Sequence, residues 1–132
     1  MSKESLRTLA EYHADQLASV LDVEIKRMFS GWGLCVDGVQ FAMAVRDDFY
    51  MRVDDGSRPF YEEAGCSPFT YESKGRSKPV VVRRYYTLPE DAAENAERFS
   101  ELALESLDAA RRDDVTRRAK KAKKAKKGSA LS

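Results

Sequence analysis

Asp37-Gly38, set between two apolar runs, constrains this chain more than any other dipeptide in it. Asp-Gly suits the positive φ angles of a two-residue type I′ turn, so the flanking residues are predicted to fold back as an antiparallel hairpin. The surrounding stretch, Arg27 to Asp54, reads as three strands at about 27–36, 39–46 and 49–53. Gly31 and Gly33 fall inside the first, where glycine marks a bulge or a close backbone approach. In the second, Val39, Phe41, Met43 and Val45 alternate with Gln40, Ala42, Ala44 and Arg46, which assigns the first set to the core face. Phe49, Met51 and Val53 continue that face in the third strand, while Tyr50 and Arg52 point away. Asp47-Asp48 makes the tight link between the second and third strands.

Outside this region the periods change. Leu6, Leu9, His13, Leu17, Val20 and Leu21 recur at helical steps, predicting an amphipathic helix from Glu4 to about Ile25. A short helix is expected at 58–64, with Ser57 as N-cap, Pro59 in the first turn and Gly65 at C′. A second hairpin follows, turning around Lys74-Gly75. Leu88-Pro89-Glu90 then ends the last strand and opens the final helix, whose apolar stripe is Ala96, Phe99, Leu102, Ala103, Leu107 and Ala110. The predicted order is α-β-β-β-α-β-β-α: a two-layer α+β domain over residues 1–112, built on a five-stranded antiparallel sheet. An apolar fraction of 42%, with six Phe, six Tyr and one Trp, is enough to fill one such core.

In this order the segments MFSGWGLCVDG, FAMAV, Tyr50 to Asp54 (YMRVD), Gly65 to Tyr71 (GCSPFTY) and YYTLPED resemble the N-terminal domain of the TfoX/Sxy family, bacterial proteins named for regulating competence genes. The resemblance covers about residues 27–110 and implies an α-β3-α-β2-α arrangement. Ser30 stands where the family often has glycine. Full-length competence regulators of the family carry a second, C-terminal domain; a Lys-rich segment follows here instead, so the resemblance bears on the fold more than on competence regulation. It implies no catalytic residues.

Enzymatic chemistry finds little to work with. His13, the sole histidine, lies on an apolar helical stripe and is expected to be a packing residue. Cys35 and Cys66 lack CxxC spacing and are expected to be reduced thiols of a cytoplasmic protein, neither paired nor binding metal. Zinc would need about four soft or imidazole ligands, more than the Cys and His present. The glycines at 31 and 33 have no following helix to receive a phosphate, and the Asp pairs at 47–48 and 54–55 suit turns. No cofactor is expected. No apolar run is long enough to span a bilayer, and the N-terminus is not expected to act as a secretory signal.

Two features remain as candidate sites. Arg46, Tyr50, Arg52, Arg83 and Tyr85 are predicted to project from the outer sheet face, and Arg and Tyr are favoured at protein interfaces. The alternative is that the last helix, or the second subunit of a homodimer, covers them. The second feature is the basic tail, 113–132. Residues 111–127 hold ten Lys or Arg and two Asp, a local charge of +8 against +1 for the whole chain, which leaves −7 on the rest. Arg117, Arg118, Lys120, Lys121, Lys123, Lys124, Lys126 and Lys127 repel one another, so the tail is expected to be disordered alone and to suit a polyanion. Without interleaved aromatics, any nucleic-acid contact is expected to be phosphate-directed and indifferent to sequence. Without an apolar face the tail is not expected to bind membrane. The function these features favour is a non-enzymatic, transcription- or competence-linked regulatory module acting through protein contacts, its tail touching nucleic acid. The rival is a dimeric, chaperone-like adaptor that binds a protein segment and has no DNA role.

Overall fold

The computed structural model describes residues 3–28, 30–46, 48–75 and 77–130, with side chains described between 5 and 122. The elements are α1 (Lys3–Gln16), β1 (Glu24–Met28), β2 (Gly31–Val36), β3 (Val39–Val45), β4 (Asp48–Arg52), α2 (Arg58–Glu63), β5 (Pro68–Tyr71), β6 (Val80–Thr87), α3 (Glu90–Ala93) and α4 (Ala96–Ala130). They form an α+β fold around one antiparallel sheet in the order β1-β2-β3-β4-β6-β5.

The sheet has six strands, not five, so the expected element order needs correcting. The additional strand comes from both sides of Arg27. The first helix stops at Gln16 rather than near Ile25, and Leu17 to Leu21 form turns in which Val20 and Leu21 donate to the Leu17 carbonyl. Glu24–Met28 then pairs with β2, placing Ile25 opposite Leu34. What reads as one strand over 27–36 is therefore most of a hairpin. Its second arm needs glycine: a Cβ on Gly31 would collide with the Ala44 carbonyl oxygen of β3, and one on Gly33 with the Gln40 side chain.

The hairpin at Asp37-Gly38 forms as its residues demand, with φ of 51° and 81°. The assignment of faces across it is different from the simple alternation. Leu34 pairs with Ala42 but Cys35 with Gln40, so β3 carries one extra residue, Phe41, at a bulge. Beyond the bulge the alternation reverses. Ala42 lies opposite Met51 and Ala44 opposite Phe49, whereas Met43 lies opposite Tyr50. Phe41, Met43, Phe49 and Met51 are all at most 4% exposed, as expected, yet Met43 shares its face with Tyr50.

Helices α1 and α4 cover the face bearing Leu34, Ala42, Ala44, Phe49, Met51 and Tyr86, adding Leu6, Ala10, Leu17, Phe99, Leu102, Ala103 and Leu107 to one core. Phe99 and Leu107 hold the centre of the stripe expected in the last helix. That helix is two pieces, because Asn95 intervenes: its Oδ1 accepts from the Arg98 amide at 3.1 Å and its carbonyl from the Phe99 amide at 2.9 Å, the bonds of an N-cap.

Candidate interface on the last helix

The first turns of α4 are committed to the core, ending at Ala110. Its next three residues then fasten the helix to the end of the sheet. Arg111 approaches Asp37 of the β2–β3 turn at 4.0 Å, Arg112 bonds Asp54 at 2.6 Å, and Asp113 accepts from the Arg52 guanidinium. Together they form a clamp at the point where the helix leaves the domain.

Asp54 is the most heavily used carboxylate in this clamp. Its Oδ1 accepts from the Gly56 amide at 3.1 Å, the Ser57 amide at 2.9 Å and the Ser57 hydroxyl at 3.1 Å, while Oδ2 takes Arg112. Ser57 does precede α2, but its hydroxyl turns back to Asp54 and makes no cap bond to the helix. The Arg112 guanidinium first, and the bonds from Ser57 after it, hold the Asp54 carboxyl down to about 2. A carboxylate with this many donors stays ionised through any ordinary pH.

Arg52 has a side chain only 11% exposed, with its guanidinium 5.6 Å from the centre of the Tyr85 ring. Tyr85 in turn accepts from Gln40 Nε2 at 3.2 Å. These groups line a groove of about 420 Å3 with Asp113, Asp114 and Arg117 of α4. Of the five residues expected on the outer face, the structure thus brings Arg52 and Tyr85 together. Tyr50, half-buried, packs edge-on against Phe69 at 5.3 Å. Arg83 is exposed, and its carbonyl accepts from Arg58 Nε. Arg46, exposed at φ 56°, sits in the β3–β4 turn, at the far end of that strand pair from Arg52.

Beyond the clamp, α4 continues without a break through the basic segment. Asp113 and Asp114 pair with Arg117 and Arg118 at 3.8 and 3.3 Å, the i,i+4 spacing that supports a helix. That spacing was present in the sequence as RRDDVTRR, and it was the available sign that the helix runs on. Arg117, Arg118, Lys120 and Lys121 are exposed; the side chains of Lys123, Lys124, Lys126 and Lys127 lie outside the described residues. The clamp partners Asp37 and Asp54 carried no comparable signal, since each reads as a turn former.

The sole histidine and one of the two cysteines are buried, while Cys66 is half-buried. His13, 4% exposed, stacks on Phe49 at 4.1 Å, lies 4.8 Å from Phe99 and bonds Gln16 through Nδ1. Burial lowers its pKa against the raising effect of Gln16. Cys35 and Cys66 are free thiols, both pushed up chiefly by burial. Among the described residues no helix is long and apolar enough to cross a membrane.

Protein Sxy of Escherichia coli (strain K12) is 30% identical to this chain over 103 residues, 78% of the chain and 48% of that protein. The chain therefore spans about half the length of this curated relative. The model of the TfoX N-terminal domain matches residues 15–110, ending on the last buried residue of the α4 stripe and leaving the basic turns outside. With most of its length inside that match, including all six strands of the sheet and the core-facing turns of α4, the chain belongs to the TfoX N-terminal domain family.

Proposed function

We propose that this chain is a non-enzymatic regulatory module of the cytoplasm, linked to competence or transcription, that works through protein contacts while the basic end of α4 touches nucleic-acid phosphates. The observation that carries this reading is the clamp followed by unbroken helix: Arg117, Arg118, Lys120 and Lys121 are exposed on a helix held to the domain through Asp37, Asp54 and Arg52. We take about half of the eight cations between 117 and 127 to engage a duplex at once.

Four neutralised phosphates give a slope near −3 to −4 in log affinity against log salt, with little dependence on base sequence. The test is salt-dependent binding of duplex DNA by the full chain and by a chain ended at Asp114. Loss of most binding in the shortened chain, with that slope in the full one, supports the reading. Equal binding by both would move recognition to the sheet or the other helices. No binding by either would favour the protein-binding adaptor, for which Tyr71 and Val81 of the β5–β6 hairpin offer exposed apolar surface at 39% and 47%.

A further inference from the structure

Apart from Arg98, Asp113 and Asp114, the charges on α4 are segregated along its length. Glu97, Glu101, Glu105 and Asp108 are exposed in its first half, and Arg111, Arg112, Arg117 and Arg118 in the turns that follow. Two apolar side chains stand among them in solvent, Leu104 at 42% exposure and Val115 at 67%. Eleven residues separate these two, which is three helical turns to within about 20°. They therefore share one stripe, and Glu101, Asp108, Arg111 and Arg118 fall within about 60° of it by the same arithmetic. This stripe lies on the opposite side of α4 from Phe99, Ala103 and Ala110, which are buried.

We propose that the stripe is the contact surface for a second copy of the chain, its α4 packed antiparallel about a two-fold axis passing between Ala109 and Ala110. In that register Leu104 meets Val115 of the second copy, Glu101 meets Arg118, and Asp108 meets Arg111. Each contact recurs by symmetry, as a self-complementary two-fold interface requires. A parallel arrangement in register would oppose Glu101 to Glu101 and Arg118 to Arg118. The segregation of charge thus selects the antiparallel one.

Existing pairs do not stand in the way: Arg111 approaches the exposed Asp37 carboxylate only at 4.0 Å. Glu101 already meets Arg98 at 3.0 Å and Arg118 meets Asp114 at 3.3 Å, but both are exposed pairs within one helix, which contribute little and exchange readily. The apolar centre amounts to two Leu–Val contacts, so the charges set the register and the association weakens as salt rises. The inference does not require nucleic-acid contact, and of the cations proposed to touch phosphates it uses Arg118 alone.

Sedimentation equilibrium of the full chain at low salt and at ~0.5 M salt tests the interface, with Glu101→Arg and Arg118→Glu as variants. The wild type is expected to self-associate at low salt and to dissociate at high salt. Each variant alone turns both Glu101–Arg118 contacts into like-charge pairs and is expected to weaken association by about tenfold or more. Mixed together, the two variants restore both attractive contacts in a heterodimer, so the mixture associates where neither component does. Both substitutions are at exposed positions, and unchanged thermal melts by circular dichroism confirm that folding is intact. A wild type that stays monomeric at low salt, variants that associate as the wild type does, or a mixture that remains monomeric would each overturn the proposal.

Discussion

Arg52 and Asp113, 61 positions apart, join the end of β4 to α4 in a contact that also places the guanidinium over the Tyr85 ring. The Arg52 side chain is nearly enclosed, and its Nε has no hydrogen-bond partner among the described residues. Asp113→Ala would leave an enclosed cation without its acceptor. The expected cost is about 1–3 kcal/mol, read from the midpoint of urea unfolding with the slope unchanged. Arg52→Glu should cost at least as much by setting two carboxylates against each other. A change under about 0.5 kcal/mol in both variants would place the pair with ordinary surface charges.

Asp54 predicts where acid loosens the clamp. Its carboxyl falls from 3.8 to about 2 in the folded chain, so the unfolded chain binds the proton more readily in that interval. The stabilisation is complete above pH 3.8 and is lost as pH falls through about 2. Asp54→Asn should remove this acid-side step from a plot of stability against pH. It should also loosen the loop ahead of α2, detectable as faster amide exchange at Gly56 and Ser57.

His13 acts in a higher window and for a different reason. Burial against Phe49 and Phe99 favours the neutral ring, so its folded pKa lies below 6.5. The unfolded chain then takes up the proton first, and stability declines as pH drops below 6.5 until the folded pKa is passed. One such group gives a slope of at most about 1.4 kcal/mol per pH unit. In His13→Gln that slope should disappear from the region just below 6.5, even if overall stability is lower. A slope that survives there would assign it to another group.

Gly31 tests the close approach of β2 to β3. No rearrangement of a side chain relieves the collision, because the atom that a Cβ would meet is the Ala44 backbone oxygen. Gly31→Ala should destabilise by about 1–3 kcal/mol or more, measured by denaturant unfolding. Gly38→Ala offers a contrast, since a Cβ there meets nothing and only the positive φ is unfavourable.

The sequence carried the local geometry of this fold better than its long-range consequences. Asp37-Gly38, Gly65 and Gly75 all adopt the left-handed conformations that their residue types suggest, because a turn's preference is contained in its own residues. Met43 could not be placed that way. Its face depends on the bulge at Phe41, which depends in turn on the registers of β2 and β4. The same holds for Glu24–Met28, where Leu17, Val20 and Leu21 prolong a helical period past the point at which pairing with β2 takes over. In α4, the cations were evident from composition, whereas the fastening of the helix through Asp37, Asp54 and Arg52 exists only once distant segments meet.

A tether made of coil would let the end of the chain move without the domain registering it. At 1.5 Å per residue, the 35 residues of α4 make a rod about 50 Å long, seated in the core at Phe99 and clamped at Arg112. Such a rod behaves as a lever with its fulcrum at the clamp. Whatever grips the free arm applies torque at Asp54 and Asp113, and on the short arm it bears on Phe99 and the His13 ring stacked beside it. A load on the free arm would therefore be felt first at the clamp and then in the packing around Phe99.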